Sequence, residues 1–351
     1  MEQSEFLNAL TCPAFFVENG QVVQANIPAL QRNIEIGAAI ANYICVGLEE
    51  YQEFTQGKLS LSLKISGINY PACVSVTEKG QLFSLETEYQ EPELKAFSLA
   101  ATQLREPLAN VMTEAELLGR NIKDNDDALA QLSQINRNLN RLLRAISNMS
   151  DASLYQTQQA ERLQTENITS VFSEILEKAL VLTEKTEREL ICNLPDSRIL
   201  TLVDRQKLER AVLNLLSNAI KYSPAGSKIN TDLTQIGKRL YFTVENTLSG
   251  ELAKNPFSRY LREPGLENGQ SGVGLGLSIV RSVAASHGGV LLMQQLPENK
   301  IRFTLTIAIR NQANLSLHSP VILPVDYAGG RDQALLELSD VLPDSLFQEF
   351  N

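Results

Sequence analysis

Histidine is scarce: the 351 residues hold two, His287 and His318, and none lies in the first 90. Histidine-ligated haem is thereby excluded from the N-terminal region. Basic residues are in deficit, with 31 Lys and Arg against 41 Asp and Glu, for a formal net charge of −10. The acidic residues are spread along the chain, which argues against general nucleic-acid binding, since that wants a basic face. No apolar run approaches the roughly 18 residues that cross a bilayer. The opening MEQSEFLNAL lacks the basic start of a secretory signal. The four cysteines, Cys12, Cys45, Cys73 and Cys192, make no C-x-x-C pair and read as buried or free thiols of a reducing cytosol. Internal repeats and low-complexity tracts are missing too. The expectation is a cytoplasmic chain with no membrane insertion and no nucleic-acid partner.

What is present suffices for two or three domains, since 43% of the residues are apolar. Residues 1–90 read mostly as strand. AFFVENGQVVQAN sets Asn19-Gly20 between two apolar runs, a hairpin signal because both turn residues tolerate positive φ. LSLSLKI places Leu59, Leu61, Leu63 and Ile65 on one face. CVSVTEKGQLFSLE reads as a second hairpin around Lys79-Gly80, and EYQEPE as a linker.

Residues 93–155 change to helical spacing. Phe97, Ala101, Leu104, Leu108, Val111, Ala115 and Leu118 form one seam. Leu132, Ile135, Leu139, Leu142, Ile146 and Met149 form another, with GRNIKDNDD between. This pattern predicts an antiparallel helical hairpin. Pairing with a second copy into a four-helix bundle would bury both stripes; a coiled spacer packed on a neighbouring domain is the alternative. From 165 to 310, VFSEILEKALVL, DRQKLERAVLNLLSNAIKY and LGLSIVRSVAASHGG read as helices, and KRLYFTVEN and KIRFTLTIAI as strands. That mixture predicts an α+β sandwich.

Two motifs carry chemistry. In SGVGLGLSIV, Gly272, Gly274 and Gly276 precede a helix; glycines let backbone approach phosphate oxygens, and the helix start supplies N–H donors. In NLLSNAIKYSP, Asn214 and Asn218 share a helix face. Amide oxygens suit a hydrated magnesium ion; Lys221 lies near the same face to reach a phosphate, and Tyr222 offers a ring to a base. Either motif alone is weak; the pair about fifty residues apart is far more specific.

On these two motifs residues 165–310 resemble the ATP-binding domain of sensor histidine kinases, a fold shared with gyrase and mismatch-repair ATPases. The resemblance implies ATP and Mg2+ as cofactors. It assigns Asn218 as the magnesium ligand, Asn214 as its partner, Lys221 to phosphate, Tyr222 to adenine, and Gly272, Gly274, Leu275 and Gly276 to the phosphate loop. NPFSRY, around Phe257, sits where the family has a lid. The family's D-x-G-x-G box departs here into VENTLSG. Asn246 then stands for the adenine-reading Asp and Gly250 for the last glycine, with Glu245 the alternative reader in a shifted register. An Asn oxygen accepts a hydrogen bond without a carboxylate's charge, so nucleotide binding is expected to weaken but survive.

The stretch AATQLREPLANV resembles the family's phosphoacceptor helix, typically S-H-E-L-R-T-P-L. Leu104, Arg105, Pro107 and Leu108 match. Thr102 replaces the phosphoacceptor histidine, Gln103 the adjacent acidic residue, and Glu106 the threonine four further on. No histidine lies anywhere in the hairpin. Residues 1–90 loosely resemble a PAS sensor domain, with a ligand pocket and a structural dimer cap both open.

The chain is thus expected to be multidomain α+β, with a PAS-like α/β sensor domain (1–90), a hairpin forming a dimeric four-helix bundle (93–155), a histidine-kinase/gyrase-type ATP-binding α/β sandwich (165–310) and a tail (311–351). The reading is a homodimeric pseudokinase or adaptor of a two-component-type pathway, with a response regulator or another kinase as partner. The alternatives are a kinase acting on Ser or Thr, at Thr102 or on a partner, and a nucleotide-free scaffold. The tail is too apolar for a solvated end, with helical spacing at Leu335, Leu338 and Leu342. It is expected to dock on its own chain or on a partner, and near the ATP-binding domain it would restrict that domain's motion.

Overall fold

The computed structural model describes residues 7–78, 80–85, 91–122, 125–154, 163–250, 276–310 and 332–348. Lys79, His318 and the side chains of Phe97 and Met149 fall outside the described residues.

Strands β1 (Ala14–Glu18) and β2 (Gln21–Ala25) form the expected hairpin, with φ of 50° at Asn19 and 75° at Gly20. After helix α1 (Ile27–Leu30) come β3 (Ile44–Val46) and helix α2 (Leu48–Glu53), then β4 (Lys58–Ile65), β5 (Ile68–Thr77) and β6 (Gly80–Leu85). The spatial order is β2-β1-β6-β5-β4. Leu59, Leu61, Leu63 and Ile65 of β4 share one buried core with Phe15, Val17 and Phe83. The rings of Phe15 and Phe83 stack at 5.0 Å between centroids.

Helices α3 (Glu91–Asn121) and α4 (Asp126–Leu154) pack as a hairpin. The sequence seams divide in two. Ala101, Leu108, Met112 and Ala115 meet Leu132, Leu139, Leu143 and Ile146 in a buried core. Leu104, Val111, Leu118, Ile135 and Leu142 face outward, Leu104 at 49% and Leu142 at 54% exposure. Their heptad spacing makes a second, exposed apolar stripe.

The remaining described residues up to 310 build an α+β sandwich. Helices α5 (Ile168–Thr183), α6 (Arg205–Tyr222) and α7 (Gly276–Ser286) pack on a sheet. Its strands are β8 (Glu189–Asn193), β10 (Lys228–Ile236), β11 (Arg239–Thr247), β12 (Leu291–Leu296) and β13 (Lys300–Ala308); β7 (Gln164–Asn167) and β9 (Leu200–Val203) pair separately. Leu240, Phe242 and Val244 alternate inward along β11, and Phe242 lies 4.7 Å from Phe172 of α5 between ring centroids.

The two sheets are one. β4 pairs antiparallel with β12, Ser60 opposite Leu291 and Lys58 opposite Met293, so the strand order continues β4-β12-β13-β11-β10-β8. Val290 belongs to the N-terminal core and Cys73 to the core of the sandwich. Gly57 makes the approach possible: at φ 89° a Cβ there would lie 2.2 Å from the Met293 carbonyl oxygen. Beside the ladder, the buried Glu50 accepts from Thr306 Oγ1 and pairs with Arg239, each at 2.8 Å. No local sequence pattern marks this junction.

Residues 332–348 fold back on the rest. Asp332 caps helix α8 (Gln333–Glu337) by accepting from the N–H groups of Ala334 and Leu335 (2.7 and 3.0 Å). Ala334, Leu338, Leu342 and Phe347 enter the sandwich core, while Leu336 enters the hairpin core.

Candidate functional site

Helix α6 starts at a capped end. The Asp204 carboxylate accepts from the Lys207 N–H (3.2 Å), and the Asp204 N–H donates to Nε2 of His287 (3.0 Å). His287 is buried with Nδ1 2.8 Å from the Val283 carbonyl. An accepting Nε2 puts the proton on Nδ1, so the ring is neutral. Burial lowers its pKa, outweighing the opposite pull of the Val283 hydrogen bond and the Asp204 charge. His287 thus ties the end of α7 to the start of α6.

Asn214 and Asn218 stand one turn apart on α6, Asn214 buried and Asn218 partly exposed. Gly276, the first residue of α7, sits against them. A Cβ on it would lie 2.8 Å from Asn214 Oδ1 and 3.9 Å from Asn218 Nδ2. A bare backbone is what lets this end of the described helix come so close. Lys221 and Tyr222 end α6, both half-buried, with Lys221 Nζ 5.9 Å from the Tyr222 ring centroid. Asn246, near the end of β11, is buried. Its amide nitrogen donates to Ser223 Oγ and to the Thr247 carbonyl, both at 3.1 Å.

One region therefore gathers Asn214, Asn218, Lys221, Tyr222, Asn246 and Gly276 around the C-terminal half of α6. Gly250 follows β11 with open space where a Cβ would stand. Gly272, Gly274, Leu275 and Phe257 lie outside the described residues. Glu245 is engaged elsewhere: its carboxylate takes the Arg302 guanidinium at 2.6 Å. The residues present fit a magnesium nucleotide. They offer a partly exposed amide at Asn218, an ammonium group at Lys221 and a glycine backbone at Gly276 in a cradle that a Cβ would fill.

On α3, Thr102, Gln103 and Glu106 are exposed while the neighbouring Ala101 is buried. The hairpin thus turns Thr102 outward.

Sequence reasoning missed a buried charge cluster beside Asn214. Glu337 of α8 is fully buried and accepts four hydrogen bonds. Arg210 Nε (2.8 Å) and Gln333 Nε2 (3.1 Å) donate to one oxygen, Arg144 Nε (3.0 Å) and Asn214 Nδ2 (3.1 Å) to the other. Arg144 also donates to Asn214 Oδ1 (3.1 Å), Ser217 Oγ (3.3 Å) and Asp340 Oδ2 (2.9 Å). Arg210 reaches Asn148 of α4 at 2.6 Å. The available signal was Arg210 itself, one turn before Asn214 on the apolar face of α6, where an arginine needs a buried partner.

Residues 203–311 match the family described as histidine kinase-, DNA gyrase B- and HSP90-like ATPase. Among curated proteins, the chain is 24% identical to the sensor histidine kinase WalK of Bacillus subtilis over 84% of this chain and 53% of that protein. It is 27% identical to the sensor-like histidine kinase SenX3 of Mycobacterium tuberculosis over 58% of this chain and 51% of that one. The chain therefore spans about half the length of each. Among solved structures, histidine kinase ThkA in complex with the response regulator protein TrrA aligns over 88% of this chain and 99% of its own, at 15% identity and a TM-score of 0.41.

Proposed function

We propose that this chain, whose residues 203–311 form an ATPase domain of the histidine kinase, gyrase B and HSP90 type, is a nucleotide-binding pseudokinase or adaptor of a two-component-type pathway. The observation that carries the nucleotide reading is the seat of Gly276 against Asn214 and Asn218. In this reading Asn218 holds magnesium, whose charge when bound offsets that of the phosphates. Asn214 supports Asn218, Lys221 contacts a phosphate, and Gly272, Gly274, Leu275 and Gly276 wrap the phosphates with backbone N–H groups. Tyr222 and Gly250 border the base. Asn246 turns its amide nitrogen inward to Ser223 and Thr247, and its oxygen accepts from the adenine amino group.

Loss of the phosphoacceptor is supported by exposed Thr102 at the acceptor position and by the absence of histidine from 91–154. The exposed stripe of Leu104, Val111, Leu118, Ile135 and Leu142 supports a homodimer, in which a second hairpin covers it as a four-helix bundle. The described residues among 1–90, with the antiparallel order β2-β1-β6-β5-β4, β3 paired to β4 and short helices between strands, support the PAS-like reading. The partner is a response regulator or another kinase, docking on the hairpin. The domain limits are 1–90, 93–155, 165–310 and 311–351. Among the described residues no helix is long and apolar enough to cross a membrane.

Labelled ATP with magnesium should leave no acid-labile, base-stable phosphate on the protein. A stoichiometric signal of that kind in the hairpin would overturn the pseudokinase reading, and acid-stable label at Thr102 would favour a Ser/Thr kinase. A nucleotide-free scaffold is the second reading, favoured by the engagement of Asn214 with both Glu337 and Arg144.

A further inference from the structure

The arginines of α4 form a ladder along one face, Arg137, Arg141 and Arg144, and the C-terminal segment lies on it. Arg137 pairs with Asp344 (2.9 Å) and donates to the carbonyls of Ser339 (3.1 Å) and Asp340 (3.2 Å). Arg141 and Arg144 each take an oxygen of Asp340 at 2.9 Å. Asn136 donates to the Phe347 carbonyl at 3.0 Å. At the inner end of the ladder, Glu337 spans Arg144 of the hairpin and Arg210 and Asn214 of the sandwich. The segment is therefore a wedge, held on the hairpin by charge and on both bodies by apolar side chains.

The wedge reaches the residues assigned to nucleotide. Asn214 gives its amide nitrogen to Glu337 and its oxygen to Arg144. Asp340 stands within the electrostatic reach of Lys221. Burial works to raise the Asp340 carboxyl, but the charges of Arg144, Arg141 and Lys221 outweigh it and hold it below its usual range. A nucleotide triphosphate on Asn218 and Lys221 would bring like charge against Glu337 and Asp340. Asn218 and Lys221 are half-buried, so solvent screens that repulsion incompletely.

We propose that residues 332–348 are an autoinhibitory wedge: docked, they fix the sandwich to the hairpin and oppose magnesium–nucleotide binding at Asn214 and Lys221, and nucleotide expels them. This rests on the nucleotide reading of α6. It goes beyond that reading by naming the intramolecular competitor and the ladder that receives it. Binding through a minor open state lowers apparent affinity by the fraction open. Loosening the wedge therefore tightens nucleotide binding. Thermodynamic reciprocity requires that nucleotide loosens the wedge by the same factor.

The test combines hydrogen exchange with calorimetry on the full chain, using ATP with magnesium as the probe. Amides of 333–347 are expected to be protected in the free protein and to exchange about tenfold faster when ATP saturates it. Glu337→Gln sets an amide against the Arg144 and Asn214 donors and is expected to bind ATP about tenfold tighter than wild type. Asp340→Asn, milder and on the rim, keeps the fold intact and is expected to gain about threefold. Binding by the variants but not by wild type is the strongest form of the same result. ATP binding of equal strength in all three proteins, with exchange at 333–347 unchanged, overturns the wedge and leaves the nucleotide reading standing. No binding by any of them at millimolar ATP removes the nucleotide reading and the wedge with it.

Discussion

At the junction of β4 with β12, the contact is a backbone ladder flanked by Val290, Cys73 and the close-fitting Gly57. At the junction of the C-terminal segment with α4 and α6, it is a set of carboxylates set into arginines. The ladder cannot open without exposing paired N–H and C=O groups and apolar surface together. The second junction combines its ion pairs with buried apolar area, with Ala334, Leu338, Leu342 and Phe347 in the sandwich core and Leu336 in the hairpin core, so a competing charge acts on the pairs and not on that area. The sandwich is thus joined to the N-terminal sheet by paired backbone, and to the hairpin by ion pairs and apolar side chains of the C-terminal segment.

Breaking the charged junction at its centre should have the largest effect. Glu337→Ala removes the buried carboxylate from Arg210 and leaves Arg144 only Asp340, a loss on the order of 3–5 kcal/mol, read as a lower urea midpoint. Next comes the ladder. Gly57→Ala forces a Cβ against the Met293 carbonyl at a left-handed φ, and is expected to cost about 2 kcal/mol or more. The comparison sharpens in salt. Raising ionic strength should leave the loss from Gly57→Ala unchanged. It should shrink that from Asp340→Asn, about 1 kcal/mol at low salt because Asp340 and Arg141 are partly exposed.

Acid should produce the smallest change. His287 is neutral in the fold and its pKa lies below the ordinary 6.5. The unfolded chain therefore takes up a proton there first as pH falls. Stability is full above about 6.5 and declines below it toward the folded value. The melting temperature of His287→Gln should fall less than that of wild type between pH 7 and pH 5.

The elements that announced themselves in the sequence were those with local signals. Asn19-Gly20 gave its turn, Leu59 to Ile65 its alternation, and the Asn214 and Gly276 stretches their helices. What stayed hidden was non-local. Lys58 to Ser60 reads as any strand, and nothing in it names Leu291 to Met293 as neighbours. β10 escaped because its inward Ile229, Thr231 and Leu233 are diluted by polar residues. The hairpin seams are apolar, but heptad spacing cannot say which leucines face the sister helix and which face outward. Leu139 and Leu142 carry the same pattern and end on opposite sides of that division. Glu337, between Leu336 and Leu338, was read only by its apolar neighbours. Its own burial becomes apparent once Arg144 and Arg210 are found to need it.

The central claim, a magnesium–nucleotide site around Asn218, is tested most directly by titrating ATP into wild type and into Asn218→Asp, with and without magnesium. The account expects magnesium-dependent binding to wild type. It expects that dependence to be disturbed in the variant, where a carboxylate adds charge and removes an amide donor. Identical magnesium-dependent binding in both proteins, or none in wild type at millimolar ATP, would contradict it.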